Sequence, residues 1–263
     1  MTLVFFKLGG SLITDKLQPG LVRREALELA AQELAEVYTS TPDLEIVLGH
    51  GSGSFGHVPA EQYGTRQGVS TPEQWHGFAK VATAAARLNQ VVLEALAAAG
   101  LPVLSIRPSS SAVCSGGEIM RMAVGPVRAA LDHRLVPLVH GDVAFDMTQG
   151  GTIISTEDIF SYLAREFLPK HIFLAGDVDG VFDQNGSLVS RITPQTIDAL
   201  RPALRGSAAT DVTGGMESKV LAMLDLCEEI PGLRVHIFSG LQPGTIRKAL
   251  LSPDSSLGTI ISG

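Results

Sequence analysis

The sequence predicts an α/β protein, a three-layer αβα sandwich with a mainly parallel central sheet. Six short apolar runs, each ending near glycine or a polar residue, have the composition of strands buried on both faces. Helical patterns separate these runs, and such alternation favours a parallel sheet covered by helices. The chain has 263 residues, 45% of them hydrophobic, which is enough to bury the core of such a domain.

The predicted elements alternate along the whole chain. The strands are expected at residues 3–6, 45–48, 102–106, 135–140, 171–175 and 234–238. The helices, several of them opened by Ser, Thr or Pro, are expected at residues 23–38, 72–99, 126–133, 156–167 and 216–229. Ligands of open parallel sheets bind beyond the carboxyl ends of the strands, so functional residues are expected just after each strand.

Charge and cysteine content narrow the class of protein. A net charge of −7 and a pI near 5.5 disfavour a nucleic-acid partner. Because this overall charge would repel an anionic substrate, such a substrate would have to be held by a local arrangement of hydrogen-bond donors. Cys114 and Cys227 form neither a disulfide framework nor a zinc motif, which is typical of the reducing cytoplasm. We expect no signal peptide and no membrane span, because charged and polar residues interrupt every apolar stretch.

Residues 7–16 (KLGGSLITDK) combine paired glycines with two lysines directly after the first strand. Gly9 and Gly10 would let a ligand approach the backbone closely, although a plain tight turn is the alternative. The spacing is not that of a Walker A loop, because Lys7 precedes the glycines. Lys7 also lies in an apolar run, where a buried ammonium group is costly unless an anion compensates it. The segment therefore predicts an oxyanion site around Lys7, with Lys16 as a second candidate.

Residues 50–57 (HGSGSFGH) follow the second strand and contain a formal G-x-G-x-x-G. The residues after Gly56 lack the apolar periodicity of a helix, which argues against a dinucleotide-binding turn. Ser52 stands where the hydrolase elbow G-x-S-x-G needs its first glycine. The remaining interpretation is a glycine-rich nest whose N–H groups bind phosphate, with His57 as a clamp. A surface histidine after a turn is the alternative for His57.

Four further segments carry charged residues near strand ends, at residues 140–142 (HGD), 154–158 (ISTED), 175–182 (AGDVDGVF) and 211–219 (DVTGGMESK). Their carboxylates could bind magnesium or orient lysines, and Lys219 is expected near a helix N-terminus that favours anions. Asp158 can equally be a helix-start residue, and Asp179 part of an ordinary turn.

On these motifs the sequence resembles the amino acid kinase family, and within it the isopentenyl phosphate kinase branch. The resemblance spans nearly the whole chain and depends on KLGGS at residues 7–11 with Lys16, HGSGSFGH at 50–57, DVDGV at 177–181 and GGMxxK at 214–219. The first and last motifs are family-wide, whereas Lys16 and His57 belong to the branch. Two departures are Ser52, in place of the middle glycine of a triple-glycine run, and Ala175-Gly176, in place of a Leu-Thr pair.

The resemblance implies an amino acid kinase-like fold and transfer of the γ-phosphoryl group of ATP to isopentenyl phosphate, without a covalent enzyme intermediate. It implies that residues 1–170 bind the phosphate acceptor and residues 171–263 bind ATP, within one domain. The implied catalytic residues are Lys7, Lys16, His57, Asp158 and Lys219, with Asp158 orienting the lysines. The implied acceptor site is Gly51, Ser52, Gly53 and His57. The implied ATP site is Lys7, Gly9, Gly10, Ser11, Gly53, Asp177, Asp179, Gly215 and Lys219.

Magnesium is expected on the ATP phosphates with no metal site in the protein, and the family suggests a cytoplasmic homodimer. A prenyl pocket is expected from Tyr63, Trp75, Phe78, Ile119 and Met122, although each of these side chains can equally belong to the core. Two alternative functions stay open at this point. One is a fosfomycin kinase, which needs a small polar pocket, and the other is a noncatalytic nucleotide or phosphate sensor.

Overall fold

The computed structural model describes residues 2–15, 17–205, 215–255 and 257–263, which form an eight-stranded and a four-stranded sheet with flanking helices. The strands are β1 (Thr2–Leu8), β2 (Leu44–His50), β3 (Val103–Ser105), β4 (Val113–Ser115), β5 (Glu118–Arg121), β6 (Val136–His140), β7 (Asp142–Asp146), β8 (Gly150–Ile154), β9 (His171–Gly176), β10 (Arg191–Ile192), β11 (Arg234–Ser239) and β12 (Thr259–Ser262). The helices are α1 (Gly10–Ile13), α2 (Arg24–Ser40), α3 (Gly53–Tyr63), α4 (Pro72–Ala98), α5 (Gly125–Asp132), α6 (Thr156–Phe167), α7 (Ile197–Arg205), α8 (Gly215–Glu229) and α9 (Thr245–Leu251). Two short 3-10 turns lie at Thr65–Gln67 and Pro108–Ser110.

The larger sheet has the order β10-β12-β11-β9-β1-β2-β6-β3. Its neighbours pair in parallel, except that β12 runs antiparallel to β11. The predicted mainly parallel central sheet is confirmed. Strands from residues 1–170 and from residues 171–263 occupy opposite halves of this sheet and meet where β1 pairs with β9. The separate binding roles of the two halves stay a prediction.

Alternate residues of β1 belong to two hydrophobic clusters, one on each face of the sheet. Phe5 packs with Phe160 of α6 at a ring-centroid distance of 5.1 Å, whereas Val4, Phe6 and Leu8 pack with α2 on the opposite face. All five side chains are buried. Helices therefore cover both faces of the sheet, which confirms the three-layer prediction.

All six predicted strands and all five predicted helices are present, with boundaries displaced by a few residues. The expectation that no helix follows the glycine-rich segment at residues 50–57 was wrong, because α3 begins at Gly53. This helix buries Gly53, Gly56 and Ala60 and contains Pro59. A helix that packs through small residues has no apolar periodicity, which explains why the sequence pattern missed it.

The four-stranded sheet, of order β5-β4-β7-β8, was also not predicted. Its strands have three to five residues and are partly exposed, so none of them forms a long apolar run. None of the helices in the described part of the chain has both the length and the apolar character needed to cross a bilayer.

Candidate active site

The carboxyl ends of the central strands meet at one edge of the large sheet, and backbone hydrogen bonds continue from strand to strand there. The N–H of Gly9 donates to the carbonyl of Ala175 at 2.7 Å, and the N–H of Gly51 donates to Leu8 at 3.1 Å. The loops after β1, β2 and β9 are thereby held side by side. This is the edge at which the sequence predicted the functional residues.

The two glycine-rich segments pack backbone against backbone. A Cβ atom on Gly10 would lie 2.6 Å from the Cα of Gly53, and a Cβ on Gly53 would lie 2.1 Å from Thr14 Oγ1. Gly53 also has a φ of +48°, a conformation that glycine adopts without steric cost. Thr14 Oγ1 accepts from the N–H of Ser54 at 3.1 Å and joins the start of α3 to the end of α1. Larger residues at Gly10 or Gly53 would force the two loops apart.

Lys7 forms a buried ion pair with Glu157 in the first turn of α6. The Nζ–Oε1 distance is 2.5 Å, and the two residues are only 8% and 6% exposed. Burial alone would raise the pKa of Glu157, but the charge of Lys7, followed by that of Lys219, holds this pKa below its usual value. The site therefore contains an ionised carboxylate that faces a lysine ammonium group beside the glycine loops.

The sequence reasoning gave the lysine-orienting role to Asp158, whereas the structure places Glu157 against Lys7. Asp158 belongs to the cap of α6: its Oδ2 accepts from the N–H of Ser155 at 2.7 Å, and its own N–H donates to Ser155 Oγ at 3.1 Å. The signal was present in the sequence, because S-x-x-D before an apolar run is a capping box. With Asp158 engaged in the cap, Glu157 is the carboxylate left to face the sheet edge.

The residues that the sequence predicts to bind the nucleotide lie on the loops after β1 and β9 and at the start of α8. Lys219 is half-buried and close enough to Glu157 to lower its pKa. Ser11 Oγ lies 3.8 Å from the Cβ position of Gly176, which brings the loops after β1 and β9 together. Asp177 is half-buried and Asp179 is exposed in the second of these loops, and Gly215 begins α8. Lys16 and Gly214 lie outside the described residues.

On the opposite side, His57 is half-buried on α3 and lines a narrow cavity. Polar atoms border the cavity near the start of α3 and the end of β6, and small or aliphatic side chains form much of the remaining wall. Its lining consists of Ser52, Gly56, His57, Ala60, Arg66, Val81, Ala85, Gly141, Asp142 and Ile153. Sequence reasoning did not select Ala60, Arg66, Ala85 or Ile153, because only the fold brings these separated segments together.

The residues expected in the prenyl pocket fall into two groups. Trp75 and Phe78 pack with a ring-centroid distance of 5.3 Å, and the ring of Tyr63 presses against Gly77 in the same region of α4. Met122 belongs to the hydrophobic cluster that contains Phe160 of α6, and Ile119 packs against it, whereas Phe78 belongs to a separate cluster. Phe145 of β7 lies 5.4 Å from Phe78 and was not predicted.

Two stacked histidines, His50 and His140, lie beneath the loops with ring centroids 5.3 Å apart. Both side chains are fully buried. Burial, followed by the neighbouring His140, lowers the pKa of His50 to about 3, and burial lowers the pKa of His140 to about 4. Both imidazoles are therefore neutral at pH 7 and support the loops without adding positive charge.

The chain is similar over nearly its whole length to several isopentenyl phosphate kinases. An isopentenyl phosphate kinase of Methanocaldococcus jannaschii is 33% identical over 95% of both chains. One of Haloferax volcanii is 34% identical over 94% of this chain and 98% of its own. A solved isopentenyl phosphate kinase structure superposes with a TM-score of 0.83 at 28% identity and covers 99% of this chain and all of its own. Carbamate kinase from Giardia lamblia, at 15% identity and a TM-score of 0.71, shares the fold.

The sequence profile of the amino acid kinase family matches residues 2–239. That span includes the loops after β1, β2 and β9, the start of α6 with Glu157, and α8 with Lys219. The expected amino acid kinase-like fold is confirmed by the same comparisons. The chain belongs to the amino acid kinase family.

Proposed function

We propose that this protein is an ATP-dependent kinase that converts isopentenyl phosphate to isopentenyl diphosphate. The observation that carries the proposal is the buried Lys7–Glu157 pair beside the glycine-rich loops, where a Cβ on Gly51 would lie 3.8 Å from Lys7 Cε. The full-length similarity to isopentenyl phosphate kinases supports the choice of acceptor.

The reaction needs positioning and charge neutralisation more than proton transfer. A phosphate oxygen of isopentenyl phosphate attacks the γ-phosphorus of ATP, and the bond from that phosphorus to the β–γ bridging oxygen breaks, which releases ADP. The attacking oxygen is already largely deprotonated near pH 7, because the second pKa of a phosphate monoester is about 6. The ammonium groups of Lys7 and Lys219 would offset charge on the transferring group, and Glu157 would hold Lys7 in position.

Magnesium is proposed as the partner of the nucleotide, bound mainly through ATP phosphates. The site fits this arrangement, because lysine and backbone N–H donors bind phosphate oxygens and leave the metal to phosphate and water ligands. The metal would neutralise charge between the β- and γ-phosphates. His57 and the N–H groups of Ser52 and Gly53 would bind the acceptor phosphate, whereas Gly51, whose N–H donates to Leu8, would position their loop. Lys16 is proposed as a further ligand of the transferred group.

The choice of a prenyl phosphate over fosfomycin depends on the relatives and not on the cavity. Ala60, Val81, Ala85 and Ile153 border the cavity, but its volume of about 10 Å³ holds little more than one water molecule. A prenyl chain would bury its apolar surface there only after these side chains move apart. A sensor without turnover has no comparable support, since the relatives of full length are kinases.

The proposal is tested by an ADP-release assay with ATP and magnesium. Isopentenyl phosphate, dimethylallyl phosphate, fosfomycin and methyl phosphate are compared as acceptors, and 31P NMR identifies the diphosphate product. We expect the highest kcat/KM with a prenyl phosphate, and a large loss of kcat/KM in His57→Ala but not in His76→Ala, whose side chain is exposed on α4. Preference for fosfomycin, or ADP release without diphosphate, would reject the assignment.

We also propose that the kinase acts as a cytoplasmic homodimer, as the family suggests. Light scattering after size-exclusion chromatography should give about twice the chain mass of 27.7 kDa. A monomer mass at micromolar concentration would contradict this part of the proposal.

A further inference from the structure

Arg66 is a cavity residue to which no role has been given so far. It lies in the 3-10 turn Thr65–Gln67 that connects α3 to α4. Its backbone carbonyl accepts from Thr152 Oγ1 of β8 at 3.4 Å, and its side chain lines the same cavity as His57. The turn therefore directs a cation toward the acceptor side of the site.

The guanidinium group of Arg66 is incompletely satisfied. Its Nη1 is buried and has no hydrogen-bond partner among the residues that the structure describes. A buried donor on a charged group costs free energy unless an acceptor or an anion compensates it. Because the described part of the protein supplies no acceptor for Nη1, the acceptor must be water or the oxygen of a ligand.

The other charged groups on the cavity wall do not supply that oxygen. Asp142 lines the cavity, but its Oδ1 accepts from the N–H of Val143 at 2.9 Å and its Oδ2 accepts from the N–H of Ser109 at 3.3 Å. His140 Nε2 lies 3.9 Å from Asp142 Oδ2, but this imidazole is neutral at pH 7 and adds no positive charge there. Arg66 and Asp142 thus form no ion pair within the described part of the chain. A phosphate dianion would supply the missing negative charge.

We propose that Arg66 is an anion-binding residue of the acceptor site and donates from Nη1 to the phosphate group held by His57. The inference rests on the proposed function, because it assumes a phosphorylated acceptor in this cavity. Its chemistry complements that of His57. An arginine keeps its charge at every physiological pH, whereas an imidazole loses its charge in that range. In a chain of net charge −7, such a fixed local cation would help to capture a dianion.

The test uses Arg66→Gln and Arg66→Lys, with Arg87→Gln on the exposed face of α4 as the matched control. We expect Arg66→Gln to raise the KM for isopentenyl phosphate by about 10- to 150-fold, the range for losing a hydrogen bond to a charged group. The KM for ATP should stay within about twofold of the wild-type value, because the substitution removes hydrogen bonds only to the acceptor. Arg66→Lys should be intermediate, since a lysine keeps the charge but not the guanidinium geometry.

Two further readouts separate phosphate binding from other roles. The inhibition constant of methyl phosphate, which has no prenyl tail, should rise by the same factor as the KM for isopentenyl phosphate. The melting temperature of the ligand-free Arg66→Gln variant should equal or exceed that of the wild type, because the substitution removes a buried unsatisfied donor. A lower melting temperature with unchanged acceptor affinity would show a structural role and overturn the inference.

The remaining outcomes also decide the question. Unchanged acceptor affinity in Arg66→Gln overturns the inference while leaving the kinase assignment intact. A loss with isopentenyl phosphate but not with methyl phosphate places Arg66 against the tail and overturns it as well. If the wild type does not phosphorylate isopentenyl phosphate, the proposed function fails, and titration of methyl phosphate into wild type and Arg66→Gln still tests whether Arg66 binds a phosphate.

Discussion

The Lys7–Glu157 pair makes the most direct prediction about stability. Replacing Glu157 by Gln keeps the shape of the side chain but removes the charge that compensates Lys7. Both residues are less than a tenth exposed, at 8% and 6%, so water cannot solvate the remaining ammonium group. Breaking a buried pair by removing one partner costs about 3–5 kcal/mol. For a chain of this size that cost corresponds to a decrease in melting temperature of about 6–20 °C.

A double-mutant cycle by urea denaturation separates this coupling from general damage to the site. Lys7→Met should also destabilise the protein, because it removes the largest positive charge acting on the buried Glu157 carboxylate. The double variant Lys7→Met/Glu157→Gln should lose less than the sum of the single losses, since neither charge remains. Glu166→Gln is the control on the same helix, and because Glu166 is exposed its effect should stay within about 0.5 kcal/mol.

The reasoning also predicts how ATP changes these results. Phosphate oxygens should offset the charge of Lys7 that Glu157 no longer neutralises in Glu157→Gln, so saturating ATP should raise the melting temperature of this variant by more than that of the wild type. Strictly additive losses in the cycle, or equal stabilisation of both proteins by ATP, would refute the view that this ion pair holds Lys7 for the nucleotide.

Three other predictions follow from separate features of the site and the core. Gly10→Ala would place a Cβ 2.6 Å from the Cα of Gly53 and should cost about 1–3 kcal/mol of stability, with loss of turnover. Gly125→Ala is the control and should be tolerated, because open space surrounds Gly125. Equal effects of the two substitutions on the melting temperature would contradict this prediction. His50 and His140 have folded pKa values of about 3 and about 4, below the unfolded value of 6.5, so the unfolded chain binds more protons between these limits and stability should fall as pH falls from about 6.5 to 4. Urea titrations should show a slope of up to about 1.4 kcal/mol per pH unit for each histidine, and an unchanged slope in His50→Gln would count against the assignment. Burial raises the pKa of Cys114 to about 11 and that of Cys227 to about 12. Both thiols should therefore resist iodoacetamide in the native protein and react with it in urea, which mass spectrometry measures. Rapid labelling of the native protein would disprove the burial.

The fold was predictable where burial of a strand leaves a continuous apolar run. Phe5 and Phe6 pack on opposite faces of the sheet, so a strand covered by helices on both sides needs apolar residues at consecutive positions. The missed elements lack this signal. Helix α3 packs through Gly53, Gly56 and Ala60, and its contacts depend on close approach of backbones, which hydropathy does not detect.

The site was predictable where one residue contradicts its local pattern. A lysine within the apolar strand β1 pointed to a compensating anion, and the structure supplies Glu157 as that anion. The identity of the carboxylate was harder to predict, because Glu157 and Asp158 are adjacent and both lie in the first turn of α6. The capping box distinguishes the two, because its spacing from Ser155 selects Asp158 and leaves Glu157 outside the cap.

The distribution of charge in the site constrains the origin of any pH dependence in catalysis. With pKa values of about 3 and about 4, His50 and His140 stay neutral throughout the range from pH 6 to 8, so neither can account for a change in acceptor binding there. Lysine and arginine side chains ordinarily keep their charge through that range. The substrate's own phosphate, with a second pKa of about 6, and an imidazole beside it are the groups that ordinarily titrate there. Methyl phosphate titrations of the wild type and His57→Ala across this range would therefore separate the phosphate's contribution from that of His57, because only the wild type contains both groups.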